Sequence, residues 1–279
     1  MKSINFKRLG VGLLALLFLG CFNDKTQDDT YDKINDEVKP LEDFSKSPFK
    51  SLVPKKIDNS VEVVVHEFEI DAKKDKIEII KLDKEQFDLR IEESSSNPKL
   101  ITQWAKGLSE SILINGGYFD NTYNSTGFLV VKGQVLQAKE YDFQKSGLIE
   151  VKNDVLRIRD LLTEPIKPGE TFDYALQSYP FIIKNGEGWI AEDTGLKARR
   201  TAVGQDDEGN LYIIIVKNGN LSLFRFMEEL LKTDFDFKYV LNLDGGGSTG
   251  LVFRYADLDV YYDSFYKVPN VLIFEKTND

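Results

Sequence analysis

From Val61 onward, the spacing of apolar and polar residues describes a succession of short strands. Val61 to Ile70 alternates, with Val64, His66, Phe68 and Ile70 on one face and Glu67 and Glu69 on the other, the period-two pattern of a half-covered strand. Ile77 to Leu82 and Phe87 to Ile91 read as further strands. Asn97-Pro98 sets a capping side chain before a proline at the first helical position, predicting a short helix that ends near Gly107. Ser111 to Ile114, with three consecutive apolar residues, reads as a buried strand that runs into Asn115-Gly116-Gly117-Tyr118-Phe119-Asp120. Lys132-Gly133 separates Phe128–Val131 from Val135–Ala138, and Asn153-Asp154 separates Leu148–Val151 from Val155–Ile158, which predicts two hairpins. Ala175 to Ile183 is a strand interrupted by Pro180, the mark of an edge or a bulge, and Lys184-Asn185-Gly186 turns it. Thr201–Gln205 and Leu211–Lys217 flank a polar turn, and Ser222 caps a helix with Leu223, Phe226, Met227, Leu230 and Leu231 on its apolar face. Tyr239–Leu243, Thr249–Tyr255 and Val271–Phe274 complete the strands, and no repeat of fixed period is present. Many strands with two helices predict an α+β fold: a single mixed-sheet domain, rich in hairpins, with two or more helices.

The stretch Leu241-Asn242-Leu243-Asp244-Gly245-Gly246-Gly247-Ser248-Thr249-Gly250 stands apart. Consecutive glycines lose more backbone freedom on folding than any other residues, so a loop keeps them for positive φ or for a backbone that lies against a ligand. Successive amides in such a loop can also form a concave nest for an anion. An acid at the strand end, followed by glycines and two hydroxyls, predicts a ligand site here.

The N-terminus carries an address. Lys2, Lys7 and Arg8 precede the apolar stretch of 12 residues from Leu9 to Gly20, too short to span a bilayer but the right length for an export signal. It ends in Leu17-Phe18-Leu19-Gly20-Cys21, which resembles a bacterial lipobox, and Cys21 is the single cysteine. Residues 1–20 are therefore expected to be a lipoprotein-type signal peptide, with Cys21 lipidated and the exported chain anchored to a membrane of the bacterial envelope. Residues 21–59 are Asp-, Lys- and Ser-rich with scattered prolines and read as a flexible tether, leaving 60–279 as the domain. A net charge of −10 without a basic stripe excludes nucleic acid as a partner. With His66 the sole histidine, on an apolar strand face, neither a Cys/His zinc site nor an obvious Ser-His-Asp triad is available. No cofactor is expected; calcium or another oxygen-ligand metal stays open through Asp120, Asp206 or Asp244, although no EF-hand spacing supports it. The sequence assigns no oligomeric state.

Four polar and glycine-rich stretches adjoin predicted strands: Asn115-Gly116-Gly117-Tyr118-Phe119, Gln177-Ser178-Tyr179-Pro180 with Asn185-Gly186, Arg199-Arg200-Thr201-Ala202-Val203-Gly204, and the Asp244 loop. Their order and wording resemble the phosphodiester glycosidase family over about Val61 to Phe274, and Val268-Pro269-Asn270 resembles its closing segment. Tyr179 departs from the pattern, which usually has glycine there. The resemblance implies a hydrolase that removes a sugar from a sugar phosphodiester. Arg200 then suits the two phosphodiester oxygens, and Asp244 suits a nucleophile or base at the sugar carbon. Gly116, Gly117, Thr201, Gly245, Gly246, Gly247 and Ser248 join the expected substrate-binding set. Asn115, Asn242 and Gln177 either hydrogen-bond substrate or satisfy loop backbone. Tyr118 and Phe119 can offer rings to a sugar but read first as core. A second carboxylate stays open among Asp120, Asp206 and Glu140. The alternative class is a non-catalytic surface lipoprotein that binds glycans or phosphorylated sugars. A nucleotide-phosphate loop is disfavoured by the export signal.

Overall fold

The computed structural model describes residues 52–137, 145–153 and 155–277; the export signal, Cys21, most of the tether, Ala138, Glu140 and Asp154 lie outside them. The largest sheet has eight strands in the order β1 (Lys55–Lys56), β2 (Val61–Ile70), β3 (Lys73–Leu82), β14 (Leu211–Leu221), β13 (Ala198–Asp206), β15 (Phe237–Asn242), β11 (Phe181–Lys184), β12 (Glu187–Gly188). A second sheet runs β7 (Gln134–Gln137), β6 (Leu129–Val131), β10 (Tyr174–Ser178), β8 (Gly147–Lys152), β9 (Val155–Asp160). The third runs β17 (Leu258–Tyr262), β16 (Leu251–Tyr255), β5 (Ser111–Asn115), β18 (Asn270–Lys276), β4 (Phe87–Glu93).

The fold is mainly β, which corrects the expected α+β class and its mixed sheet. Every strand pair is antiparallel. Among the described residues the α-helices are α1 (Ile101–Trp104) and α2 (Leu223–Leu230). The predicted Asn97 helix shrinks to the single turn of α1 because the preceding segment is drawn into backbone pairing: Ser94 N–H donates to Pro269, and Lys99 and Val268 exchange hydrogen bonds. The fold also reaches further toward the N-terminus than the predicted boundary at residue 60. Leu52 is buried with its N–H on the Tyr262 hydroxyl, and β1 pairs with β2.

Alternation explains how the layers share residues. In β14, Leu211, Ile213 and Ile215 enter a core common to all three sheets, while Tyr212, Ile214 and Val216 face the other way, toward Phe226, Met227 and Leu230 of α2. A strand buried on both faces needs an unbroken apolar run, which is what β14 has. Each fully buried aliphatic or aromatic side chain stabilises the fold by about 1.5–3 kcal/mol. On β2, Val64, Phe68 and Ile70 pack on the helix side as predicted, and His66 Nε2 lies 3.0 Å from Glu229 Oε2, a half-buried structural pairing.

The strand predicted across Pro180 is two strands in two sheets. The chain leaves β10, crosses at the cis Tyr179–Pro180 peptide and enters β11, where the register against β15 shifts. This crossing brings the end of β10 beside the ends of β5 and β15 and the start of β13.

Helix α2 begins at Ser222, whose hydroxyl accepts the Arg225 N–H at 3.2 Å. Ser222→Ala is expected to destabilise the fold by about 1 kcal/mol, lowering Tm by roughly 2–4 °C in thermal unfolding. An unchanged Tm would show that this cap contributes nothing.

Candidate active site

The site is assembled around a buried amide. The Asn115 side chain, at the end of β5, accepts the Thr201 hydroxyl at 2.8 Å and the Gly250 N–H at 3.3 Å, and donates to the Asp244 carbonyl at 2.7 Å. Thr201 Oγ1 also lies 3.2 Å from Thr249 Oγ1. Asn115 and Thr201 are fully enclosed, and both hold the loop in place. Gln177 is turned inward likewise: its Oε1 accepts from Phe128 N–H and its Nε2 donates to the Lys145 carbonyl. Gly116 and Gly117 are packing glycines. A Cβ at Gly116 would fall 2.0 Å from Asn270 Oδ1, and one at Gly117 would fall 3.0 Å from Leu176 Cδ2. Of these five residues in the expected substrate-binding set, the structure shows Asn115, Thr201 and Gln177 bonded within the protein, the loop-backbone alternative for Asn115 and Gln177, and Gly116 and Gly117 at close packing contacts.

The glycine loop turns several of its amides inward. Gly245 N–H bonds Asp244 Oδ1, Ser248 and Thr249 N–H bond Gly245 and Gly246 carbonyls in a 3-10 turn, and Gly250 N–H bonds Asn115. Four amides are thus engaged inside the protein. Gly246 supplies a φ of +57°, and Gly247 lets the Tyr266 ring close on the loop, since a Cβ there would lie 2.1 Å from it.

Asp244 leads the loop and is half-buried. Burial pushes its carboxyl up to about 6, against the Ser248 hydroxyl and Gly245 N–H bonds that favour the anion. Among the described residues no cation lies within 4 Å of it. Arg200 is buried with its guanidinium fixed by the carbonyls of Leu196, at 2.8 Å, and Leu221, at 3.2 Å, and among the described residues it has no carboxylate partner. Burial lowers its pKa, leaving it cationic.

Two residues enter that the sequence underrated. Tyr118, read as core, is half-exposed, and its hydroxyl accepts the Asn242 amide at 2.6 Å. Burial and the Asp244 charge push its phenol above the ordinary range, while Arg200 pulls the other way. Asn242 is thereby a positioning group for Tyr118. Arg199, quoted within its stretch but assigned no role, is a second buried guanidinium: Nη2 reaches the Asp263 carbonyl, Phe265 covers its face at 4.4 Å, and among the described residues Nε and Nη1 have no hydrogen-bond partner. Burial lowers it to about 10. The arginine doublet was the signal for it; nothing in the pattern marked Tyr118 beyond its place after two glycines.

The second carboxylate is not supplied by Asp206, which sits at the far end of β13 bound to Asn210 and Tyr212. Asp120 orders its own loop through Thr122 and Asn124, and Glu140 is outside the described residues. Among the described residues no group of three acids or histidines is gathered for a metal, so Asp120, Asp206 and Asp244 do not form one calcium site.

The fold brings an acid, two buried arginines and a glycine turn to the meeting point of three sheets. The phosphodiester glycosidase family model matches residues 109–275, and the chain belongs to that family. Its fold is similar to that of the zebrafish N-acetylglucosamine-1-phosphodiester alpha-N-acetylglucosaminidase catalytic domain, auto-inhibited by its pro-peptide, with a TM-score of 0.58 and 18% identity over 80% of this chain and 86% of that one. It is also similar to a hypothetical protein from Synechocystis, with a TM-score of 0.52 and 13% identity over 77% of this chain and 62% of that one. No curated protein sequence matches the chain.

A carboxyl near 6 in the fold, against 3.8 in the free side chain, means that the native state holds a proton which the unfolded chain has released between those values. Its stabilising share is complete below pH 4 and is lost as pH rises to about 6. Asp244→Asn is therefore expected to be more stable than the parent at pH 8, by about 1–2 kcal/mol after allowance for solvent screening, with the difference shrinking toward zero at pH 4. Equal Tm values for the two proteins at both pH values would refute the burial argument.

Proposed function

We propose that the protein hydrolyses a sugar-1-phosphodiester at the glycosidic bond, releasing free sugar and a phosphomonoester. The observation that carries this reading is that, among the described residues, neither Asp244 nor Arg200 has an ion-pair partner: Asp244 is held by an amide and Arg200 by backbone carbonyls. Family membership and the substrate named for the zebrafish relative support it. Arg200 would neutralise the phosphodiester oxygens and make the phosphate a better leaving group, while Asp244 acts at the sugar carbon as nucleophile or base. A phosphate leaving group needs little protonation, so one carboxylate with one arginine is chemically sufficient. With Nε and Nη2 held by the Leu221 and Leu196 carbonyls, the Arg200 guanidinium is fixed in place before an anion arrives, which is the electrostatic preorganisation that catalysis uses. Export and lipid attachment at Cys21 would place the reaction at an envelope surface; this part of the proposal rests on the N-terminal sequence.

The test is turnover by the purified full-length protein on a panel of sugar-1-phosphodiesters and nitrophenyl sugars. Wild type is expected to release free sugar, with kcat/KM rising between pH 5 and 7 about an inflection near 6, where Asp244 ionises. Asp244→Asn and Arg200→Ala should each lose activity by about a hundredfold or more. Absence of turnover, with sugar phosphates still raising Tm, would replace the hydrolase with a binding module.

A further inference from the structure

Tyr118 occupies a position that packing alone does not explain. Its backbone is pinned on both sides: Gly116 and Gly117 N–H bond Asn270, at 3.0 and 2.8 Å, and Thr126 N–H bonds the Tyr118 carbonyl at 3.0 Å. Its ring packs on Tyr179 with centroids 4.9 Å apart. The phenol oxygen accepts the Asn242 amide at 2.6 Å, and that amide also donates to the Leu243 and Tyr179 carbonyls. A phenol oxygen that accepts in this way keeps its own proton to donate, and the ring fixes where that proton can go. The residue is half-exposed, two positions from Gly116, whose carbonyl accepts the Asp244 N–H.

The geometry points to Tyr118 as a further substrate-contacting residue, its hydroxyl donating to a phosphoryl oxygen of the sugar phosphodiester beside Arg200, with Asn242 and Tyr179 as positioning residues. This rests on the hydrolase reading for the substrate. A neutral donor beside a guanidinium suits an ion of one negative charge: it satisfies a second phosphoryl lone pair without adding a charge that would hold the phosphomonoester product.

The experiment compares wild type with Tyr118→Phe, which removes only the oxygen, using the full-length protein. Calorimetric binding of N-acetylglucosamine 1-phosphate and of inorganic phosphate is measured beside turnover of the sugar-1-phosphodiester panel. Tyr118→Phe is expected to bind both probes about tenfold more weakly and to lose about tenfold in kcat/KM, with Tm within roughly 2 °C of wild type and the pH inflection unmoved. Tyr179→Phe should keep wild-type binding and Tyr179→Gly should lose it to a similar degree. Wild-type binding and turnover in Tyr118→Phe would overturn the proposal. So would a loss that comes with a displaced pH inflection, because the hydroxyl would then serve Asp244 rather than phosphate. If wild type turns over nothing and Tyr118→Phe still weakens binding, the hydrolase reading falls and the Tyr118 contact stands. If wild type neither binds nor turns over, both fall.

Discussion

The arrangement depends on one enclosed side-chain amide. Asn115 bonds the hydroxyl of β13, the amide that ends the glycine loop and the carbonyl of the residue that begins it. A buried amide left unsatisfied would cost about 1–3 kcal/mol for each orphaned group, so these partners are locked together rather than merely adjacent. The consequence is geometric. Two strands from different sheets and a loop with little side-chain bulk are held in one register, and the Asp244 carboxylate is carried on that frame. The glycines follow from the same constraint, since a Cβ at Gly116 or Gly247 would collide with Asn270 or Tyr266.

Charge separates this end of the fold from the rest. Buried charges elsewhere include closely paired ones: Arg159 with Glu150 at 2.9 Å, and Lys184 with Asp160 at 2.7 Å. Burying an ion without a partner is expensive, and natural folds tolerate it where function requires it. At the junction of the sheets, Arg199 and Arg200 rely on backbone carbonyls, and Asp244 relies on a hydroxyl and an amide. An anionic phosphoryl group is the ligand that would complete the arginine, and a sugar carbon is the centre that a half-buried carboxylate can attack or serve.

Much of the fold was legible in the sequence because its strands are short, alternating and bounded by turn residues. The β13–β14 pair, the hairpin at Lys132-Gly133 and the Ser222 cap were all written in local pattern. Sheet membership was not. Pro180 announced an interruption, but a crossing between sheets is a tertiary event with no local period. The Asn97 helix failed because backbone pairing with Val268 outcompeted a sound capping signal. At the candidate site, Asp244 and Arg200 stand out in the sequence by residue type and company, and the roles given to them here are proposals. The roles of Asn115, Thr201 and Gln177 were not legible, because a polar residue beside a glycine loop reads the same whether it faces ligand or loop. Tyr118 was hidden for the opposite reason: aromatic residues are so common in this chain that a ring reads as core until its hydroxyl is located.

The central claim is that the bond broken is the one between sugar carbon and oxygen, with Asp244 at the carbon. Hydrolysis of a sugar-1-phosphodiester by the full-length protein in ¹⁸O-labelled water tests it directly, by mass spectrometry of both products. Label in the free sugar, with the phosphomonoester unlabelled, is the predicted result. Label in the phosphomonoester would mean attack at phosphorus, and would contradict the role assigned to Asp244.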